Sequence, residues 1–181
     1  MERALLILDL DETLIHASDE PLSRPPDFIL GHFLVYKRPH LDEFLRFCAR
    51  EFEVAVWTSG SADYARGLVE ALFGPGYPLA FVFSRERCSL RRQAESGELS
   101  WIKDLKKIKR KGYDLNRVIV IEDSPANLGR QYGNLVQVSP FVGDEADDEL
   151  RPLMGFLASL LTAADVRKIE KRGWKNRPGA R

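Results

Sequence analysis

The sequence predicts an α/β chain built on an open, mostly parallel sheet, and three observations predict it. Short apolar runs of strand length alternate with stretches whose apolar residues recur at helical spacing. Several of those runs stop abruptly at carboxylates or hydroxyls, as buried parallel strands do where their carboxyl ends meet a ligand. The 181 residues, 44% hydrophobic and 30% charged, are enough for one domain with a real core.

Ala4 to Leu8 is a continuous apolar run, read as a strand buried on both faces, and it ends in Asp9 and Asp11. Ala17 to Asp27 carries Pro21, Pro25 and Pro26, which excludes helix and reads as an excursion over the active face. Phe28 to Tyr36, with Gly31 near its middle, reads as a short hairpin. Pro39 opens a helix whose buried stripe is Leu41, Phe44, Leu45 and Cys48. Phe52 to Trp57 is a second strand, running out into Thr58-Ser59-Gly60. Ser61 is a good N-cap for a helix with the stripe Ala65, Leu68, Val69 and Leu72, stopped by Gly74-Pro75-Gly76. Leu79 to Phe83 is a third strand. Ser84 to Gly97 is a polar segment carrying Arg85, Arg87, Arg91 and Arg92, divided between substrate contact and ordinary surface.

Lys103 opens a basic segment that runs to Lys111, anchored by Leu105 and Ile108. Val118 to Ile121 is a fourth strand, ending at Glu122-Asp123-Ser124-Pro125, and Leu135 to Val138 is a fifth. Asp144 to Leu161 reads as the longest helix, with Asp144, Glu145, Asp147 and Asp148 in or before its first turn, where the dipole favours acids. One domain is expected over residues 1–173, and 174–181, rich in Lys, Arg, Gly and Pro, is expected to be a flexible basic tail.

Composition narrows the function classes. The formal net charge is zero, so bulk charge argues for neither nucleic acid nor an anionic membrane. The cluster from Lys106 to Lys111 lacks interleaved stacking aromatics and is read as surface. Two cysteines, Cys48 and Cys88, give neither a disulfide framework nor a zinc site. No apolar run approaches the ~20 residues of a membrane helix, and Met1-Glu2-Arg3 leads straight into the first strand. A cytoplasmic protein with neither nucleic acid nor membrane as partner is the expectation. His16, His32 and His40 are read as packed or hydrogen-bonded loop residues.

Right-handed crossovers put all the strand ends on one edge. Asp9 and Asp11 then join Thr58, Ser59, Glu122 and Asp123, with Lys103 just before the fourth strand. Several carboxylates, a hydroxyl and an ammonium at one pole fit phosphoryl transfer. A carboxylate attacks phosphorus, a second moves the proton, magnesium offsets the negative charge, and the hydroxyl and lysine bind the remaining oxygens. No GxxxxGK[ST] string is present, which excludes a P-loop nucleotidase. A receiver-like domain takes its phosphorylated Asp from a later strand, so the order here disfavours it.

Asp9-Leu10-Asp11-Glu12-Thr13-Leu14-Ile15-His16 resembles the first motif of the haloacid dehalogenase superfamily, and its fuller string resembles the FCP/SCP branch, the phosphatases like those of the RNA polymerase II C-terminal domain. Lys37-Arg38-Pro39-His40, Trp57-Thr58-Ser59-Gly60, Lys103-Asp104-Leu105 and Ile121-Glu122-Asp123-Ser124-Pro125 continue the resemblance in order along nearly the whole chain. The resemblance implies a three-layer Rossmann-like core with a short β insertion after the first motif. It implies a protein phosphoserine/phosphothreonine phosphatase, with a small-metabolite phosphatase or a non-catalytic scaffold as alternatives. Asp9 matches the nucleophile and is expected to ligate magnesium as well. Asp11 matches the general acid/base, which also lends its backbone carbonyl to magnesium, and Asp123 matches a further magnesium ligand. Thr13 matches the residue that stabilises the motif loop, Thr58 the phosphate-binding hydroxyl with Ser59 beside it, and Lys103 the neutralising lysine. Glu122 is expected to orient Lys103 or a metal-bound water, and Arg85 to stand on the substrate side. Between the first motif and Lys37 the chain is shorter than in the polymerase-tail phosphatases. That implies a proline-accepting pocket that is reduced or absent.

Overall fold

In a computed structural model the described residues are 3–92, 99–129 and 131–177. The first strand, β1 (Leu5–Leu8), is buried throughout. A tight turn then leads into β2 (Ile15–Ser18), β3 (Phe28–Leu30) and β4 (Phe33–Lys37), followed by α1 (Leu41–Glu51). The chain continues through β5 (Glu53–Trp57), α2 (Ala62–Phe73) and β6 (Leu79–Phe83) to the hairpin of β7 (Ser89–Arg92) and β8 (Leu99–Ile102). Short helix α3 (Lys106–Arg110) precedes β9 (Val118–Glu122) and β10 (Leu135–Gln137), and α4 (Leu150–Leu160) is the last helix.

The main sheet has five strands in the order β10-β9-β1-β5-β6, all paired in parallel. Alternation along its strands sorts the core into two faces. Leu6, Leu8, Val54, Val56, Ile119 and Ile121 pack with the stripes of α1, α2 and α4. Leu5, Ile7, Ala55, Trp57, Val118 and Val120 pack with Leu105, Ile108 and Leu128 on the other side. The result is the three-layer α/β core expected from the sequence. The stripe Leu41, Phe44, Leu45 and Cys48 is buried as its spacing predicts. The β insertion is there too, as a three-stranded antiparallel sheet in the order β2-β4-β3. Among the described residues no helix is long and apolar enough to cross a membrane.

Several elements differ from the sequence reading, each for a visible reason. The polar stretch beginning at Ala17 holds the end of β2: Ile15, His16, Ala17 and Ser18 pair with β4, and backbone pairing to the hairpin outweighs a composition that suggests loop. The polar segment from Ser84 to Gly97 likewise contains β7, which pairs with β8, while residues 93–97 lie outside the described residues. The helix read from Asp144 begins only at Leu150. Its acids therefore serve no first turn; Asp147 instead takes the guanidinium of Arg38 at 2.7 and 2.8 Å. The segment from Lys103 to Lys111 is helical only over Lys106–Arg110, and α1 starts two residues after Pro39. The expected flexible tail begins with a packed residue: Trp174 is 2% exposed and stacks on Phe156. Residues 178–181 lie outside the described residues.

Candidate active site

β1 delivers Asp9, whose backbone N–H extends the ladder to the Ile121 carbonyl at 3.1 Å. The turn that follows is wound around the Leu10 carbonyl, which accepts from Leu14 N at 2.8 Å and Ile15 N at 3.1 Å. Glu12 sits at φ 56, a left-handed conformation that a non-glycine residue seldom adopts. This winding turns the carboxylates of Asp9 and Asp11 to the same pole. Thr13, buried beneath them, lies 3.4 Å from both Asp9 Oδ2 and Asp123 Oδ1, and its hydroxyl accepts from Asp123 N at 3.2 Å. One hydroxyl thus ties the end of β1 to the end of β9.

Lys103 follows directly on β8 and is wholly buried. Its ammonium lies 2.5 Å from Asp9 Oδ1 and 2.5 Å from Glu122 Oε2. The other oxygen of Glu122 accepts from Asn127 Nδ2 at 3.0 Å and Ser124 N at 3.3 Å. The basic run after Lys103 suggested a solvated face, but the lysine that opens it belongs to the interior. Burial works to lower its pKa, and the carboxylates of Asp9 and Glu122 outweigh that and keep it charged. Asp9 is pushed up to about 7 by burial and by the charge of Glu122, against the pull of Lys103. Glu122 and Asp123 are raised as well, chiefly by burial. One ammonium among three carboxylates leaves an excess of negative charge.

That excess suits a hard divalent cation. Asp9, Glu122 and Asp123 each present an oxygen, all within 4.8 Å of one another, and oxygen donors are what such an ion takes. The carboxylate of Glu122 lies in reach of this set beside the expected Asp9 and Asp123.

Asp11 accepts from the Tyr64 hydroxyl at 2.5 Å, and Thr58 Oγ1 approaches its other oxygen at 3.4 Å. Burial raises its pKa, while the Tyr64 hydrogen bond works the other way. Thr58 does not cap α2. Ser61 does, accepting from Tyr64 N at 3.4 Å, while Thr58 Oγ1 accepts from Gly60 N at 2.9 Å. Gly60 has a steric reason, since a Cβ there would lie 2.6 Å from the Tyr64 ring. Ser59 and Arg85 form the rim: Arg85 Nε donates to the Ser59 carbonyl at 2.7 Å, with its guanidinium 5.7 Å from the Trp101 ring centroid. His16 is held by Glu12 Oε1 at 2.8 Å, as expected of a hydrogen-bonded loop residue.

The structure therefore gathers Asp9, Asp11, Thr13, Thr58, Lys103, Glu122 and Asp123 into one cluster. Sequence reasoning missed Tyr64, which stands beside the stripe of α2 rather than on it. The signal was Gly60 four residues before an aromatic. It missed the work of Arg38 as well. That buried guanidinium donates to the Thr13 carbonyl at 3.0 Å and binds Asp147 with its other nitrogens.

Across residues 4–167 the chain matches the sequence profile of the NLI interacting factor-like phosphatases. It belongs to that family. CTD nuclear envelope phosphatase 1 of Xenopus tropicalis is 33% identical over 187 residues, covering 95% of this chain and 73% of the relative. Human carboxy-terminal domain RNA polymerase II polypeptide A small phosphatase 1 is 31% identical over 186 residues, covering 99% of this chain and 66% of the relative. Among solved structures, that of Fcp1, an essential RNA polymerase II CTD phosphatase, superposes with a TM-score of 0.57 at 25% identity, over 77% of this chain and 42% of that one. Fission yeast Fcp1-R271A bound to beryllium fluoride shares the fold, with a TM-score of 0.59 at 20% identity over 95% of this chain and 50% of that one. In this member of the family the acid cluster and its buried lysine stand at the end of the sheet where ligands of open α/β folds bind.

Proposed function

We propose that the chain is a magnesium-dependent phosphomonoester hydrolase acting on phosphoserine or phosphothreonine in protein, through an aspartyl phosphate on Asp9. The observation that carries this reading is the buried Lys103 ammonium held between Asp9 and Glu122 at 2.5 Å each. It fixes the Asp9 carboxylate and sets an ammonium beside the oxygen that must approach a phosphoryl group.

Asp9 attacks phosphorus, the bond to the serine or threonine oxygen breaks, and Asp11 gives that leaving oxygen its proton. Asp11, then ionised, takes a proton from the water that cleaves the acyl phosphate and so returns both carboxyls to their starting state. Thr58 and Lys103 bind the non-transferred oxygens. Asp9 and Asp123, with Glu122 in reach, would hold the cation, which supplies charge neutralisation at the phosphoryl group. The relatives named for the polymerase C-terminal domain support a phosphoprotein substrate. So does the insertion after the first motif, whose strands are only three to five residues long, leaving the pole without a large cap.

The test is phosphate release from an aryl phosphate, with magnesium and then with chelator. Asp9→Asn is expected to stay folded and to lose turnover by about three orders of magnitude or more. Activity retained in that variant would exclude the covalent route.

A further inference from the structure

β10 is the outermost strand on its side of the sheet, and a returning segment walls its outer side. Asp165 caps a 3-10 turn over Val166–Lys168, and a second turn covers Trp174–Asn176. The wall is anchored. Lys171 Nζ donates to the carbonyls of Gly133 and Ile169 at 2.8 Å each and to that of Val166. Trp174 Nε1 donates to the Gln137 carbonyl at 2.7 Å.

Between wall and strand runs a groove of about 950 Å³. It reaches Pro125, two residues beyond Asp123, and its floor residue Gln137 donates from Nε2 to the Asp123 carbonyl at 3.2 Å. The groove and the acid cluster therefore meet at the same pole of the sheet. Its charge leans positive: Arg167, Lys168, Lys171, Arg172 and Lys175 line it with Glu170, while Asp165 and Glu149 stand beside it and pair with Lys168 and Lys175. The whole chain is neutral, so this excess is local. The side chains of Lys168 and Arg172 are 84% and 91% exposed and pair with Asp165 and Glu170. The single Lys168 contact is of the weak, exposed kind that exchanges for another anion, whereas Arg172 holds Glu170 with two parallel bonds.

We infer that this groove binds an acidic stretch of the phosphoprotein substrate that flanks the phosphorylated residue. The inference rests on the phosphoprotein reading above and adds a rule of substrate choice to it. The occupant is set by charge complementarity and by continuity with the catalytic pole, and an extended chain leaving the phosphorylated residue toward Pro125 enters the groove directly.

Binding is measured on Asp9→Asn, which requires no turnover. The probes are three labelled phosphoserine peptides: one neutral, one with an acidic run N-terminal to the phosphoserine, and one with the run C-terminal to it. One acidic peptide is expected to bind about tenfold tighter than the neutral one at low salt, and the advantage should fade as salt screens it. Arg167→Glu with Arg172→Glu should abolish that advantage and leave the neutral peptide unchanged. In the active enzyme the same pair should leave aryl phosphate turnover as it was, which also reports folding. If the double reversal unfolds, Arg172→Gln is read in the same way. Equal affinity for all three peptides, or an advantage that survives the substitutions, overturns the inference. So does loss of binding to phosphatidylserine vesicles with peptide affinities unmoved, which would make the groove a lipid-facing surface. Failure of the hydrolase reading shows separately, as aryl phosphate that magnesium does not help to cleave.

Discussion

Lys103 is enclosed without any exposure between Asp9 and Glu122, so its loss would leave two buried carboxylates facing each other. Removing one partner of such a set costs about 3–5 kcal/mol. Lys103→Met should therefore lower the melting midpoint by roughly 10 °C, and magnesium should restore part of that shift by giving the acids another cation. Differential scanning calorimetry with and without the ion decides it, and an unchanged midpoint would contradict the buried set. Tyr64 is a different case. Its hydroxyl aims Asp11 from α2 and its ring meets Phe33 of β4 edge-on at 5.5 Å. Tyr64→Phe keeps the ring, so the fold should hold. The value of kcat should drop by about ten- to a hundredfold, less than loss of the proton carrier Asp11 itself would cost, with KM for a small aryl phosphate little changed. The acids, Thr58 and Lys103 were legible because their order along the chain is set by the strands that carry them. Tyr64 was not, because a tyrosine beside a helix stripe has the same spacing whether it packs or bonds to a carboxylate.

At the scale of elements, the turn after β1 is braced from behind by the connection between β10 and α4. Phe141 N donates to the Glu12 carbonyl at 2.7 Å. Arg38 joins the Thr13 carbonyl to Asp147 through a two-pronged bond and lies over the Phe141 ring. Burial works to raise the pKa of Asp147, yet the Arg38 fork outweighs it and holds the carboxyl below the usual carboxylate range. A carboxyl depressed by folding stabilises above its unfolded pKa, about 3.9, and that contribution fades as pH falls through the lower folded value. Asp147→Asn should therefore be less stable than the parent at pH 7, and the difference should shrink below about pH 4, where the unfolded carboxyl takes up its proton, and vanish once pH falls past the lower folded value. Urea unfolding at the two pH values measures it. This brace could not be read from the sequence, where Asp147 looked like a dipole-matched acid of a longer helix. The parallel strands were legible because they are continuous buried runs. β2 and β7 were not, because each is half exposed and is held by pairing with a neighbour rather than by its own pattern.

For the whole molecule, composition and position compete at the C-terminal segment, and position wins. Lys, Arg, Gly and Pro around Trp174 suggest fraying. Yet the indole is 2% exposed, stacks on Phe156 of α4 with centroids 5.7 Å apart, and donates to the Gln137 carbonyl of β10. One side chain thus locks the last described segment onto both the helical layer and the outer strand of the sheet. It closes the edge that β10 would otherwise leave open. Replacing a buried tryptophan by alanine costs about 3–5 kcal/mol, so Trp174→Ala should lower the melting midpoint by roughly 10 °C. The catalytic cluster is built from β1, β5, β9 and the end of β8, none of which Trp174 contacts through these bonds. Turnover of an aryl phosphate well below the new midpoint should therefore remain close to that of the parent, while the preference for an acid-flanked peptide, which needs the wall in place, should weaken. Calorimetry and the two binding and turnover assays separate these effects. Equal loss of aryl phosphate turnover at low temperature would show that the segment supports the catalytic pole itself rather than the groove beside it.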